Sequence, residues 1–195
     1  MPGAREGESI AAVILAAGGA SRFAGSTHKL LAPFQGRPLV RWAIDAAMGG
    51  GFDETVIVVG AERERVRANV PEGVTVLEND QWESGMATSL RLAVDHAESA
   101  GHGAVVVGLA DQPFVTAESW RRVGAHDEHP IAVATYANER RNPVRLSREV
   151  WSLVPTEGDE GMRAVMRLRP ELVGEVPCPG HGADIDTLED LDRWS

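Results

Sequence analysis

The chain of 195 residues is 43% hydrophobic and 25% charged, proportions of an ordinary globular domain that exclude a disordered or fibrous polypeptide. Its 19 Lys and Arg against 29 Asp and Glu leave a net charge of −10, which repels a polyphosphate backbone and sets nucleic acid aside as a partner. Cys178 is the one cysteine, residues 1–9 are polar without the apolar core of a secretion signal, and no apolar run has the length of a membrane span. A cytoplasmic protein is the expectation, with one domain over residues 10–195 after a polar segment 1–9.

Residues 10–17 (IAAVILAA) are an unbroken apolar run closed by Gly18 and Gly19, the pattern of a parallel strand buried on both faces. A loop rich in Gly, Ser and Lys leads to residues 38–48, where Leu39, Trp42, Ala43, Ala46 and Ala47 keep helical spacing until Gly49, Gly50 and Gly51 end it. Residues 55–59 (TVIVV) predict a strand, 61–69 a charged helix, 74–77 a short strand and 86–100 a helix. Residues 103–109 (GAVVVGL) predict another buried strand, stopped by Pro113, with Asp111 just past its end. A helix over 116–125 has Thr116 as its cap. Strands at 131–136 and 144–146 flank a polar link at 138–142, followed by short helices at 149–153 and 160–169 and a strand at 172–176. A strand end at 184–187 is expected to lead into a last helix, 188–194. Such alternation predicts an α/β sheet, Rossmann-like, with helices on both faces and ligands outside the carboxyl ends of the strands.

Four segments therefore carry the chemistry. Gly18, Gly19, Ala20 and Ser21 let a ligand approach backbone N–H groups that cradle phosphate, with Arg22 and Lys29 adding positive charge. The segment is no Walker A loop, because Lys29 follows His28 and precedes Leu30, and it lacks the third glycine of a dinucleotide fingerprint. The glycines alone also fit a plain turn after a strand. Asp111 is placed either to bind Mg²⁺ that bridges nucleotide phosphates or to cap the next turn. Asp184 and Asp186 alternate along an extended segment, so one of them would complete a metal site, or both belong with Thr187 to a helix cap. Residues 79–86 (NDQWESGM) suit hydrogen bonding to a base edge, or form a surface loop with one packed tryptophan. His126 and His129 are expected to be solvated on a polar turn, and Cys178 with His181 lacks the further ligands of a zinc site. The acids of 157–160 are expected in a solvated loop and helix start. Every tryptophan but Trp82 is expected in the core.

Together, ILAAGGASRF with Lys29, the loop WESGMATSL, GLADQP and the terminal DIDTLEDL resemble the nucleotidyltransferases that finish molybdenum cofactor, the MobA-like group. Among them the chain is most similar to the molybdenum cofactor cytidylyltransferases, over residues 10–194. The resemblance implies a three-layer nucleotidyltransferase fold with a mostly parallel mixed sheet. It implies transfer of CMP from CTP to the terminal phosphate of molybdopterin with release of pyrophosphate, Mg²⁺ as cofactor, and a molybdoenzyme as eventual recipient. It places Leu15, Ala16, Ala17, Gly18, Gly19, Arg22 and Lys29 at the nucleotide, with Lys29 on phosphate and Lys29, Arg22 and Asp111 as catalytic groups. It places Asn79, Ser84, Gly85, Met86 and Ser89 around base and ribose, and Asp111 and Asp186 on the metal. Ala16-Ala17-Gly18 resembles the cytidine-using branch. The sequence departs from the family in two places: Arg22 and Lys29 are seven positions apart where members have five, and Asn142-Pro143 replaces a common Gly-His-Pro. GTP-dependent guanylyl transfer, nucleotidyl transfer to a sugar or alcohol phosphate, and a cofactor chaperone without turnover are the alternatives.

Overall fold

The computed structural model describes residues 9–19, 23 and 27–194. Strands β1 (Ile10–Ala16), β4 (Glu54–Val59), β5 (Thr75–Glu78), β6 (Ala104–Leu109), β7 (Ile131–Tyr136), β8 (Glu139–Ser147) and β9 (Val173–Pro177) form one sheet in the order β5-β4-β1-β6-β8-β7-β9. β2 (Pro33–Phe34) and β3 (Arg37–Pro38) pair in a separate ribbon. Six strands of the large sheet run one way, and β8 opposes both of its neighbours.

Period-two alternation sorts β1 between two cores. Ala11, Val13 and Leu15 face a layer made by α3 (Met86–Ser99) and α5 (Arg163–Leu168), through Leu90, Ala93, Val94, Ala97 and Met166. Ala12, Ile14 and Ala16 face α1 (Leu39–Met48), α2 (Arg63–Arg67) and α4 (Ala117–Gly124), through Val40, Ile44, Ala47, Val66 and Trp120. Burial on both faces is why the strand reads as an unbroken apolar run. Gly108 is needed in β6 because any Cβ there would sit 2.4 Å from the Trp120 ring. A third cluster joins Phe34 and Leu39 to Ile185 and to Leu191 of α6 (Leu188–Trp194), fastening the chain's end beside β1.

Several expectations differ from the structure, among them His126 and His129, which are half-buried and bonded to each other instead of solvated. The polar link at 138–142 is strand: Ala137 and Asn138 have φ of 49° and 67° and Tyr136 pairs with Glu139, as in a two-residue hairpin turn whose first partner-strand residues reach into solvent. The charged helix after β4 is shortened to five residues because Glu62 takes a left-handed φ of 52°. Residues 184–187 are not a strand; Thr187 and Asp190 cap α6 reciprocally, with Asp190 N donating to Thr187 Oγ1 at 3.1 Å and Asp190 Oδ2 accepting from Thr187 N at 2.9 Å. Trp120 and Trp151 are buried as expected, whereas Trp42 is half-buried and Trp194 is 36% exposed against Phe114 and His181. Among the described residues no helix is long and apolar enough to cross a membrane.

The amino ends of the central strands are tied by Glu54. Its carboxylate accepts from Thr75 Oγ1 at 2.7 Å and lies 2.8 Å from His102 Nε2 and 3.0 Å from His96 Nε2, while His102 Nδ1 meets Ser9 Oγ at 2.7 Å. Burial opposes the Glu54 charge, but these partners outweigh it and hold the carboxyl below its ordinary pKa. A lowered folded-state value contributes stability above the ordinary carboxyl pKa and loses it as pH falls through the lowered one. Glu54→Gln is therefore expected to cost about 1–2 kcal/mol at neutral pH. In thermal melts across acidic buffers, the gap between variant and wild type should close below about pH 4.

Candidate active site

Past the carboxyl ends of β1 and β6, three segments distant in sequence bring their charges together. Lys29 opens a 3₁₀ turn, Lys29–Leu31, whose Leu30 is buried in the core, and this drives the lysine inward until it is 8% exposed. Asp111 follows β6, held beside β1 by the bond from Ala110 N to Leu15 O at 3.1 Å. Asp186 comes from the chain's end, where the fully buried Ile185 anchors the segment and donates its N–H to Asp111 O at 2.9 Å. Lys29 Nζ donates to Asp111 Oδ2 at 2.7 Å and to Asp186 Oδ1 at 2.9 Å. Burial disfavours the ammonium, yet the two carboxylates outweigh it and raise the Lys29 pKa above its ordinary value. Asp184 lies behind them and accepts from Gln112 Nε2 at 2.6 Å; burial, then the charge of Asp111, pushes its carboxyl pKa up.

The glycine turn covers this cluster. His28 Nε2 lies 3.1 Å from Gly18 O, so its proton is on Nε2, and burial lowers the His28 pKa. At Gly19 a Cβ would meet the Trp82 ring at 2.9 Å, so the indole lies directly on the turn. Leu15, Ala16, Gly18, Lys29, Leu30, Ala110 and Asp111 enclose a cavity of about 80 Å³. Ala17 is buried and its carbonyl accepts from Ala61 N at 3.0 Å. Ala20, Ser21 and Arg22 lie outside the described residues.

The segment matched to base and ribose divides in two. Asn79 and Ser89 are 5% and 3% exposed and turned toward each other: Asn79 Nδ2 donates to Thr88 Oγ1 and to Ser89 Oγ, both at 2.8 Å, and so shapes the loop from within. Ser84 is exposed, and Gly85, with a φ of 105°, lets Gly158 pack where a Cβ would lie 2.5 Å from Gly158 O. The acids of 157–160 are exposed, but the loop is fastened to the start of α3. Gly158 O accepts from Ala87 N at 2.9 Å and Asp159 Oδ1 from Met86 N at 3.2 Å, which places a carboxylate at the helix's positive end.

Met86 and Leu15 also line a second cavity of about 270 Å³, whose floor is built by Leu90, Val107, Val133 and Leu146. Arg140, Arg141, Arg163 and Arg167 surround it. These arginines escaped the sequence reading because two sit in the expected polar link and two in a short helix to which no function was given. Their one sequence signal is the concentration of four arginines in two short stretches.

The profile of the MobA-like NTP transferase domain matches residues 12–175. The chain belongs to the MobA-like family of nucleotidyltransferases. It is 32% identical to nicotine blue oxidoreductase of Paenarthrobacter nicotinovorans over 94% of this chain and 95% of that protein. It is 33% identical to the bifunctional protein GlmU of Cutibacterium acnes over 81% of this chain, spanning 40% of that longer protein. The crystal structure of Rv0371c from Mycobacterium tuberculosis superposes with a TM-score of 0.80 at 28% identity, covering 95% of this chain and 96% of that one. The structure of its complex with manganese superposes with a TM-score of 0.75 at 28% identity, covering 95% of this chain and 97% of that one.

Nucleotidyltransferases of this family use divalent metals, and the donor set of this MobA-like chain fits one. Asp111 Oδ1 is buried with no hydrogen-bond partner, an orphaned anionic oxygen beside a second carboxylate, and carboxylate oxygens suit hard cations such as Mg²⁺ or Mn²⁺. Lys29 holds Asp111 Oδ2 and Asp186 Oδ1, on the same two carboxylates, so ammonium and cation compete for one pair of acids. Lys29→Met should therefore lower the melting temperature without added metal, because two adjacent carboxylates lose their counter-charge. Millimolar Mn²⁺ should then raise the variant's melting temperature more than the wild type's. Equal gains in a thermal-shift titration would show that the lysine and the ion do not share ligands.

Proposed function

We propose that this MobA-like transferase moves CMP from CTP onto the terminal phosphate of molybdopterin, with Mg²⁺ held by Asp111 and Asp186. The observation that carries the reading is the placement of two cavities on either side of Leu15: a small one against Gly18, Lys29 and Asp111, and a larger one with an apolar floor and an arginine rim. The first suits triphosphate. The second suits an acceptor with a flat, weakly polar ring system and an anionic group, because a ring buries apolar surface while guanidinium groups pair with phosphate.

The acceptor is already an anion and needs little general-base help. One of its phosphate oxygens forms a bond to the α-phosphorus of CTP as the bond to the bridging oxygen of pyrophosphate breaks, and the electron pair leaves with pyrophosphate. The work of the protein is to hold two anions in line and to offset their charge. Lys29, released from the aspartates, turns to phosphate, the Gly18 and Gly19 turn offers N–H groups, and Arg22 adds charge from the same loop. Bound Mg²⁺ would supply further neutralisation at the phosphates. The small residues Ala16 and Ala17 support cytidine as the base, in keeping with the resemblance of Ala16-Ala17-Gly18 to the cytidine-using branch.

The likeness to nicotine blue oxidoreductase gives a second reading, in which the chain is an oxidoreductase and the apolar cavity takes the molecule that is oxidised or reduced. Thermal stabilisation by CTP, GTP, UTP, ATP and NADPH, with and without Mg²⁺, separates the readings because only ligands bound to the native state raise the melting temperature. CTP selectivity that needs Mg²⁺ and vanishes in Asp111→Ala is expected. GTP selectivity would overturn the base assignment, and stabilisation by NADPH alone would overturn nucleotidyl transfer. In turnover, Asp111→Ala and Lys29→Ala should each lose on the order of 10² or more in rate. Arg141→Ala should raise the acceptor's KM with little change in the KM for CTP.

A further inference from the structure

The turn between α4 and β7 carries the sequence Ala125-His126-Asp127-Glu128-His129-Pro130. It lies at the amino end of β7, while Asp111 lies past the carboxyl end of the parallel β6. The length of a six-residue strand, roughly 20 Å, separates the two ends of the sheet. The turn therefore takes no part in the chemistry described above.

His126 Nε2 lies 3.2 Å from His129 Nδ1, with the ring planes 13° apart and the centroids 5.4 Å apart. With ring centroids so much farther apart than the two nitrogens, these nitrogens face each other edge to edge. One of them donates the single proton between them. One ring nitrogen from each histidine and one carboxylate oxygen of Glu128 lie within 4.8 Å of one another. Both histidines are half-buried and Glu128 is exposed, so the group opens to solvent on one side. An independent feature comes from β9. At Gly174 a Cβ would stand 2.4 Å from His126 Nε2 and 2.6 Å from His129 Nδ1, so the backbone of β9 packs against one side of this nitrogen pair and only glycine fits there.

We propose that His126, Glu128 and His129 form a second metal site, separate from the carboxylate site, that takes a borderline divalent transition ion such as Zn²⁺, Co²⁺ or Ni²⁺. Two nitrogens each about 2.1 Å from one tetrahedral ion lie about 3.4 Å apart, close to the spacing already present. Small rotations of the rings turn both lone pairs onto one point. The ion takes the place of the shared proton, which moves to the far nitrogen of its own ring, so binding needs a change of tautomer and no net loss of a proton from the pair. Imidazole nitrogen with one carboxylate selects these ions over Mg²⁺, which prefers oxygen alone. Three protein ligands leave a coordination position for water or for a group from another molecule. The bound ion ties the start of β7 to the end of α4 in front of β9, which stabilises that edge of the sheet.

The test uses the full chain without an affinity tag, carrying Asp111→Asn so that the carboxylate site is weakened in every sample. Titration with Co²⁺ is followed by its visible absorption, and titration with Zn²⁺ by calorimetry and by melting temperature. One equivalent bound per chain, with cobalt bands of a four- or five-coordinate site and a rise in melting temperature, is expected. His126→Gln and His129→Gln should each weaken binding by at least about 10-fold, and Glu128→Gln by less. Gly174→Ala keeps every ligand and should also weaken binding, because its methyl group would collide with both ligating nitrogens and displace the rings. The double variant His126→Gln with His129→Gln lies on a surface turn, and its unchanged circular dichroism would show that it folds. Binding that survives in that double variant, or no binding of Zn²⁺ or Co²⁺ at micromolar concentrations, would overturn the proposal. The proposal is independent of the nucleotide and acceptor assigned above, and neither result bears on them.

Discussion

The contact of Lys29 with Asp111 and Asp186 organises the functional end of this molecule. It joins a turn after β1, the end of β6 and the segment before α6, which are separated by 82 and 157 positions in the chain from the lysine. Two carboxylates bound to one ammonium repel each other, and the ammonium between them makes their approach possible in a half-buried place. The arrangement is held by apolar anchors next to each charge: Leu30 beside Lys29, Ala110 beside Asp111, and Ile185 between Asp184 and Asp186. Core packing thus fixes where the charges stand, and the charges leave Asp111 Oδ1 buried without a partner and open to a cation.

This arrangement also explains the division of labour along the sheet. The parallel strands β1 and β6 deliver backbone and acid to one side of Leu15, while the reversed strand β8 carries Arg140 and Arg141 to the other. Two cavities that share Leu15 therefore lie side by side, one beside Lys29 and Asp111 and one rimmed by arginine, and the proposed function assigns them to the nucleotide and to a second anion. Similar sheets host other reactions, so the rim of the larger cavity, more than the sheet, decides what this chain accepts. The protein's net charge of −10 makes that local concentration of arginine the more selective, since anions are repelled from most of the remaining surface.

The parts of the fold buried on both faces were legible in the sequence, because β1 and β6 have no polar residue to interrupt them and β4 has them only at its start, Glu54 and Thr55. The start of α4 was legible through Thr116, whose side chain accepts from Ser119 N at 3.1 Å. β8 was not, since its outer residues Glu139 to Arg141 are charged where they leave the core, and the turn before it uses Ala137 and Asn138 without glycine. Asp111 was legible by its position at the end of β6, and Lys29 by its place after the glycine turn, whereas Asp186 stands in coil where the sequence suggested a strand end. Their mutual contact was not legible, because it depends on Ile185 anchoring a coil segment from the far end of the chain. Asn79 and Ser89 show the reverse: their types suit a ligand, and the fold turns them toward each other. The pairing of His126 with His129 depends on Gly174, 45 positions beyond His129 in the sequence, and no local pattern reveals it.

The central claim is that this site transfers a nucleotide by attack at the α-phosphorus. The most direct measurement incubates the protein, Mg²⁺ and a molybdopterin acceptor with CTP labelled either at the α-phosphorus or at the γ-phosphorus, and follows each label. The account predicts that the α label appears in the cofactor product and the γ label in pyrophosphate, both lost in Asp111→Ala. A γ label in the acceptor, or both labels remaining in CTP while a reduced nicotinamide nucleotide is consumed, would contradict it.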